Sequence, residues 1–155
     1  MMNQQHENFL KHDFVFHLKH LAPDAQGAWG KMNGQQMVEH MAEMLQVASG
    51  RQQHPAFADK EKTEKAYAWL MTDKPFRPNT INPLLPEEPK PTVYNTMQQA
   101  IEALQKELDH FFEVFEKDPD LRVMNPMFGN LNFEEQVQLL YKHTQHHLKQ
   151  FGLIS

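Results

Sequence analysis

The feature that most constrains this chain is a rhythm. Met97, Ile101, Leu104, Leu108, Phe111 and Phe115 are spaced 4-3-4-3-4, and Phe133, Val137, Leu140, Thr144, His147 and Phe151 repeat the same steps. Alternating steps of four and three hold side chains on one face of an α-helix, whereas a strand needs steps of two. Two long amphipathic helices are predicted, over about Thr96–Lys117 and Asn132–Phe151. Asn132 with Glu135 makes a capping-box pattern at the start of the latter, while Asp118-Pro119 and Gly152 supply the stops.

Two further helices follow from the same logic. Leu10, Phe14, Leu18 and Leu21 predict a helix from about Gln5 to Leu21, ended by Ala22-Pro23-Asp24. A connection over 22–32, containing Trp29, leads to Asn33, which pairs with Gln36 in a second capping-box pattern. Met37, Met41, Met44 and Ala48 form the next apolar stripe, widened by Val38 and Leu45 and closed by Gly50. A short helix is expected over about Ala58–Met71, with Ala66, Trp69 and Leu70 as its apolar side. Beyond it, Pro75, Pro78, Pro83, Pro86, Pro89 and Pro91 forbid a regular helix or central strand. Phe76, Ile81, Leu84 and Leu85 are interleaved with them, so 72–92 reads as a packed loop placed to cover a pocket mouth. Residues 118–131 read as a loop. The expected fold is all-α: an up-down four-helix bundle, with an additional short helix and a proline-rich loop between the second and third main helices. A chain of 155 residues fits one such domain, 1–155.

Composition excludes several classes. The net charge is −5, and Lys11, Lys19, Lys31, Lys60, Lys62, Lys65 and Lys106 are scattered among acids, so no nucleic-acid surface is expected. No stretch approaches the roughly 18 apolar residues that span a bilayer. The segment MMNQQHENFLKHDF lacks an apolar signal core, and a cytoplasmic address is expected. There is no cysteine, which removes disulfides, thiolate nucleophiles and cysteine-ligated metals together.

Ten histidines remain to be placed. His147 lies in the apolar stripe of the last helix and His143 lies one turn earlier. Residues four apart stand roughly 5–6 Å apart at Cβ, which lets two imidazoles converge on one ion. His40, between Met37 and Met44, shares their inward side. Three imidazoles from two facing helices would form a divalent-metal site with open positions, as catalytic sites have. A histidine on an apolar face can equally be a hydrogen-bonded core residue, and periodicity alone does not decide. His146 points about 100° away from His147. His17 and His20 flank the first helix's stripe on its solvated side, His110 borders the third helix's stripe, and His6, His12 and His54 have no visible partner.

The tract Tyr141-Lys142-His143-Thr144-Gln145-His146-His147-Leu148-Lys149-Gln150 resembles the last-helix motif of the DinB/YfiT-like superfamily, in which an HxxxH pair is followed by a glutamine. The tracts Trp29–Asn33 and Gln36–Met41 resemble the second-helix motif of one branch of it. Asn125-Pro126-Met127-Phe128-Gly129-Asn130-Leu131 stands where that branch has a His-Pro-Phe-Phe-Gly-like loop, and Phe76–Pro89 is similar too. The resemblance covers most of the chain. It implies a four-helix bundle, in the family often a homodimer, and one divalent ion of the nickel, zinc or iron kind held by His40, His143 and His147. The better-understood relatives are thiol-dependent transferases and isomerases using bacillithiol, mycothiol or glutathione, and DNA binding is not implied. Asn125 departs from the branch's usual histidine.

The resemblance and the residues together lead to a metal-dependent enzyme acting on a small molecule: a low-molecular-weight-thiol S-transferase or a thiol-assisted isomerase. Without cysteine the sulfur must come from a cosubstrate. A metal-dependent hydrolase and a non-catalytic or vestigial metal-binding bundle are the alternatives. Gln150, one turn beyond His147, and Glu43, one turn beyond His40, are candidates to support the ligands from behind. Tyr141 and Trp29 are either pocket-lining or ordinary core aromatics.

Overall fold

The computed structural model describes residues 2–56, 59–78 and 88–155. Among these the chain is mostly helical. Helix α1 runs through Met2–Asn8, a π-helical turn at Phe9–Asp13, and Phe14–Leu18. Then come α2 (Gly34–Ser49), α3 (Lys60–Leu70) and α4 (Met97–Lys117). A hairpin of β1 (Val123–Asn125) and β2 (Gly129–Leu131) precedes α5 (Phe133–Gln150). None of these helices is long and apolar enough to cross a membrane.

The start of each helix after α1 is set by a capping side chain, two of which, Asn33 and Asn132, the sequence marks. Asn33 and Asn132 accept from the backbone of Gln36 and Glu135, whose side chains return the bond to the Asn33 and Asn132 amides. Asp59 and Thr96 cap α3 and α4 in the simpler way, accepting from Lys62 and Gln99. Each such cap satisfies amides that have no partner inside the helix and contributes about 1 kcal/mol. At the far end of α5, Gly152 takes φ +70° while its amide bonds Lys149 O and the Leu153 amide bonds Leu148 O. That pair of bonds is the Schellman closure, and a left-handed residue makes it.

In α1 the predicted stripe is buried at Leu10, Phe14, Leu18 and Leu21, but the helix contains a π turn that the spacing did not announce. Two steps of four drift about 80° around a regular α-helix. The wider π turn rotates less per residue and absorbs part of that drift, so both steps still reach the core.

The four stripes share one cluster. Leu10, Phe14 and Leu18 of α1 meet Met37, Met41 and Leu45 of α2, Leu104, Leu108, Phe111 and Phe115 of α4, and Val137, Leu140 and Leu148 of α5. The broadest helix–helix contact is α2 on α4, and α1 lies on α5. A second, smaller cluster joins Leu70 of α3 to Phe128, Leu131 and Leu139, with Trp69 and Phe76 packed on it.

The loop expected over 118–131 is corrected in part: within the mostly helical fold, 123–131 forms a small antiparallel hairpin pairing Val123 with Leu131 and Asn125 with Gly129. Strands of three residues are too short to show a period of two, so the pattern carried no signal. The Asn125 side-chain amide oxygen, Oδ1, accepts from the Met127 and Phe128 amides at 2.8 and 3.1 Å. Its role here is to hold the turn, and Gly129 closes it at φ +90°.

In the proline-rich stretch, Ile81, Pro83, Leu84, Leu85 and Pro86 lie outside the described residues. Its two ends are tied down by long polar side chains. On the α3 side, Gln138 of α5 donates to Leu70 O, and Lys142 Nζ donates to Lys74 O at 2.6 Å while lying over the Trp69 ring. On the α4 side, Gln36 donates to Lys90 O and Glu39 accepts from the Val93 amide.

Candidate metal centre

Both helices that carry the predicted ligands are fixed in register by their capping boxes and buried stripes. With Met37 and Met41 at zero exposure, His40 is turned inward and is 6% exposed. On α5, Val137, Leu140 and Thr144 face the core, which carries His147 in at 5% exposure and leaves His143, one turn earlier, partly buried beside it.

The three rings meet. The Nε2 atoms of His40 and His143 are 3.2 Å apart, although 103 residues separate them in the chain. One nitrogen from each of His40, His143 and His147 can be chosen so that all lie within 4.8 Å of one another. Ring centroids are 5.0 Å apart for His40–His143, 5.1 Å for His40–His147 and 4.7 Å for His143–His147. Nitrogens bound to one ion at about 2.1 Å stand about 3.0–3.4 Å apart, and their rings radiate with centroids about 5 Å apart. This is the one group of three or more possible ligands found among the described residues.

Electrostatics favour the ligand form of each ring. Burial pushes His40 down to about 4, with Lys90 and His146 adding to the effect. Burial holds His143 and His147 well below the ordinary histidine range, with neighbouring imidazoles lowering both further. All three are therefore neutral at pH 7, with lone pairs available. His147 Nε2 is buried with no hydrogen-bond partner among the described residues, as is His40 Nδ1. A buried, unpartnered imidazole nitrogen costs about 1–3 kcal/mol, and a coordinated cation would relieve it at His147 Nε2; the unpartnered nitrogen of His40 is Nδ1, not the Nε2 that faces His143. The donor set, three neutral imidazoles, suits a divalent transition ion. The residues fit a metal.

The supporting residues divide. Gln150, 4% exposed, holds His147 Nδ1 through Oε1 at 2.7 Å. Glu43 is in an ion pair with Lys90 at 3.1 Å and is tied to the returning chain. His146 lies 5.1 Å from the His147 ring and between Trp29 and Phe76. Tyr141 stacks on His6 at 3.8 Å and meets Phe9 edge-on, a packing role at the α1–α5 contact. His17 is half-buried beside Phe16 and Phe9, and His20 is exposed.

Two contributions escaped the sequence pattern. Phe76, from the loop after α3, places its ring 5.6 Å from that of His143. The glycines Gly27 and Gly30 wrap Gln150: a Cβ on either would stand 2.8 Å from an atom of that side chain. A glycine pair flanking a tryptophan was the available signal, but nothing in the sequence says what it wraps.

A family model described as the DinB superfamily matches residues 4–151. No curated protein matches the chain. No solved structure matches it either.

Proposed function

The chain belongs to the DinB superfamily, and on that premise we propose that it is a divalent-metal-dependent enzyme acting on a small molecule. His40, His143 and His147 are the ligands in this reading. The single observation that carries it is the convergence of three neutral imidazoles, two of them buried, from two helices onto one spot. We read the four long helices as an up-down bundle, an architecture whose interior commonly houses metal sites.

The ion is of the nickel, zinc or ferrous kind, all suited to imidazole donors. Bound there, it would supply Lewis-acid chemistry, lowering the pKa of a protic group on the substrate side. The chain's own residues do the rest. The imidazoles add no charge, so the site keeps a net positive field toward an anionic nucleophile. Gln150 holds His147 in place. Phe76 packs between the Trp69 and His143 rings, in a segment whose backbone Lys142 holds at Lys74 O.

The reaction we assign is transfer of a low-molecular-weight thiol, or thiol-assisted isomerisation, the chemistry that the resemblance to thiol-dependent relatives implies; with no cysteine in the chain, the sulfur would come from a cosubstrate. The test is elemental analysis of protein made without an affinity tag, compared with His143→Ala. About one ion per chain, lost in the variant, is expected. Wild-type protein that neither retains nor takes up zinc, nickel or ferrous ion overturns the reading. Cleavage of simple esters without added thiol would replace the transferase assignment with a hydrolase.

A further inference from the structure

We infer that the Gly27–Gly30 turn dictates which nitrogen of His147 carries its proton, acting through Gln150. The argument runs through atoms that can only accept. Gln150 Nε2 lies 2.8 Å from the carbonyl oxygen of Trp29. A carbonyl oxygen cannot donate, so the amide nitrogen must be the end that faces it. That leaves Oε1 facing His147 Nδ1 at 2.7 Å. An amide oxygen cannot donate either, so Nδ1 bears the hydrogen and Nε2 keeps its lone pair. That Nε2 is the buried atom without a partner among the described residues, on the ring that closes the histidine group.

The turn is built to keep this amide from rotating. Gln150 is 4% exposed, so solvent does not compete for its ends. The Ala28 amide donates to Gln150 O at 2.7 Å, tying the turn to the same residue's backbone. At Gly27, a Cβ would lie 2.8 Å from Gln150 Cγ and equally close to Trp29 O. At Gly30, a Cβ would lie 2.8 Å from Gln150 Nε2, and the backbone takes φ +78°, which favours glycine. Gln150 is thus a positioning residue whose orientation is set 121 residues away in sequence. The tautomer follows from this geometry alone; its consequence for metal affinity rests on the reading in the preceding subsection.

The experiment uses the full chain. Long-range nitrogen–proton correlation spectra of the imidazoles, recorded at neutral pH without metal, read the tautomer directly. His147 is expected with its proton on Nδ1, and Gly30→Ala is expected to erode that preference. Zinc affinity is then measured by competition with a chromophoric chelator. Gln150→Leu and Gly30→Ala are expected to bind about 10–100-fold more weakly than wild type, the usual effect of removing a group that orients a histidine ligand. A proton on Nε2, or rapid averaging between the two tautomers in wild type, overturns the inference, and that measurement needs no variant to fold. An unchanged Nδ1–H preference in folded Gln150→Leu or Gly30→Ala also overturns it. A fixed Nδ1–H form in a wild-type protein that binds no zinc supports the inference and sinks the metal reading instead.

Discussion

Replacing two of the three imidazoles should make the metal-free protein more stable and the metal-loaded protein less so. The perturbation is His40→Leu with His143→Leu. In the metal-free protein His40 Nδ1 is buried without a partner among the described residues, and its relief is worth about 1–3 kcal/mol. Against that stands one hydrogen bond between the two Nε2 atoms, at 3.2 Å, worth about 1 kcal/mol. Both partners of that bond leave together, so no new buried donor or acceptor is stranded. Leucine is close to histidine in volume and joins a neighbourhood of Met37 and Met41. The net gain is about 1 kcal/mol, or about 2–4 °C in Tm for a chain of this size. Zinc at one hundred times Kd stabilises the wild type by about 2.7 kcal/mol through mass action, while a single remaining imidazole gives the variant almost nothing. The order of stability should therefore reverse between chelator and zinc. Thermal unfolding followed by far-ultraviolet circular dichroism in the two conditions measures it. A variant clearly less stable than wild type in chelator refutes the claim that the buried nitrogens are a cost. Equal stabilisation of both proteins by zinc refutes the convergence of the rings on one ion.

The same buried groups and packing set two other outcomes. The metal-free protein should be fully stable above about pH 6.5 and weaken as pH falls, because unfolded histidines take up protons near 6.5 while His40 resists to about 4 and His143 and His147 resist further. Each histidine adds about 1.4 kcal/mol per pH unit in that window, so urea midpoints between pH 7.5 and 5 should drop steeply, and a flat profile would contradict the burial of the group. Phe111→Ala should cost about 3–5 kcal/mol, since the ring is fully buried against Phe112, Phe115 and Phe133; a loss under about 1 kcal/mol by urea denaturation would show that α4 does not pack as described.

What was legible in the sequence was whatever repeats at helical spacing or sits at a helix end. The stripes of α2, α4 and α5, the caps at Asn33 and Asn132 and the start of α4 near Thr96 are local signals, and the structure places them within a residue or so of expectation. The Phe9–Asp13 π turn was not legible, because a step of four is compatible with either helix type until packing chooses. The hairpin at 123–131 was hidden by its brevity. It is stabilised by the Asn125 side chain and by burial of Val123 and Leu131, and neither requires alternation along the strand.

The candidate site divides along the same line. His143 and His147 announce themselves by their spacing on one helix, and His40 by its place in a methionine stripe. What the sequence could not show is distance across the fold. Glu43 sits one turn from His40 but pairs with Lys90, which the return of the proline-rich segment delivers to that side of α2. Gln150 sits one turn from His147 and does engage it, because the Trp29 carbonyl claims the other end of its amide. The two candidates look alike in the sequence and differ only in which backbone returns beside them. The energetic argument points the same way. His147 occupies a stripe position where leucine would bury more apolar surface, and its Nε2 has no hydrogen-bond partner among the described residues. A residue chosen for stability alone would not be an imidazole at that position, held in one orientation by a glutamine that is itself held by a glycine turn. The cost makes sense if the lone pair, and not the packing, is what the position supplies.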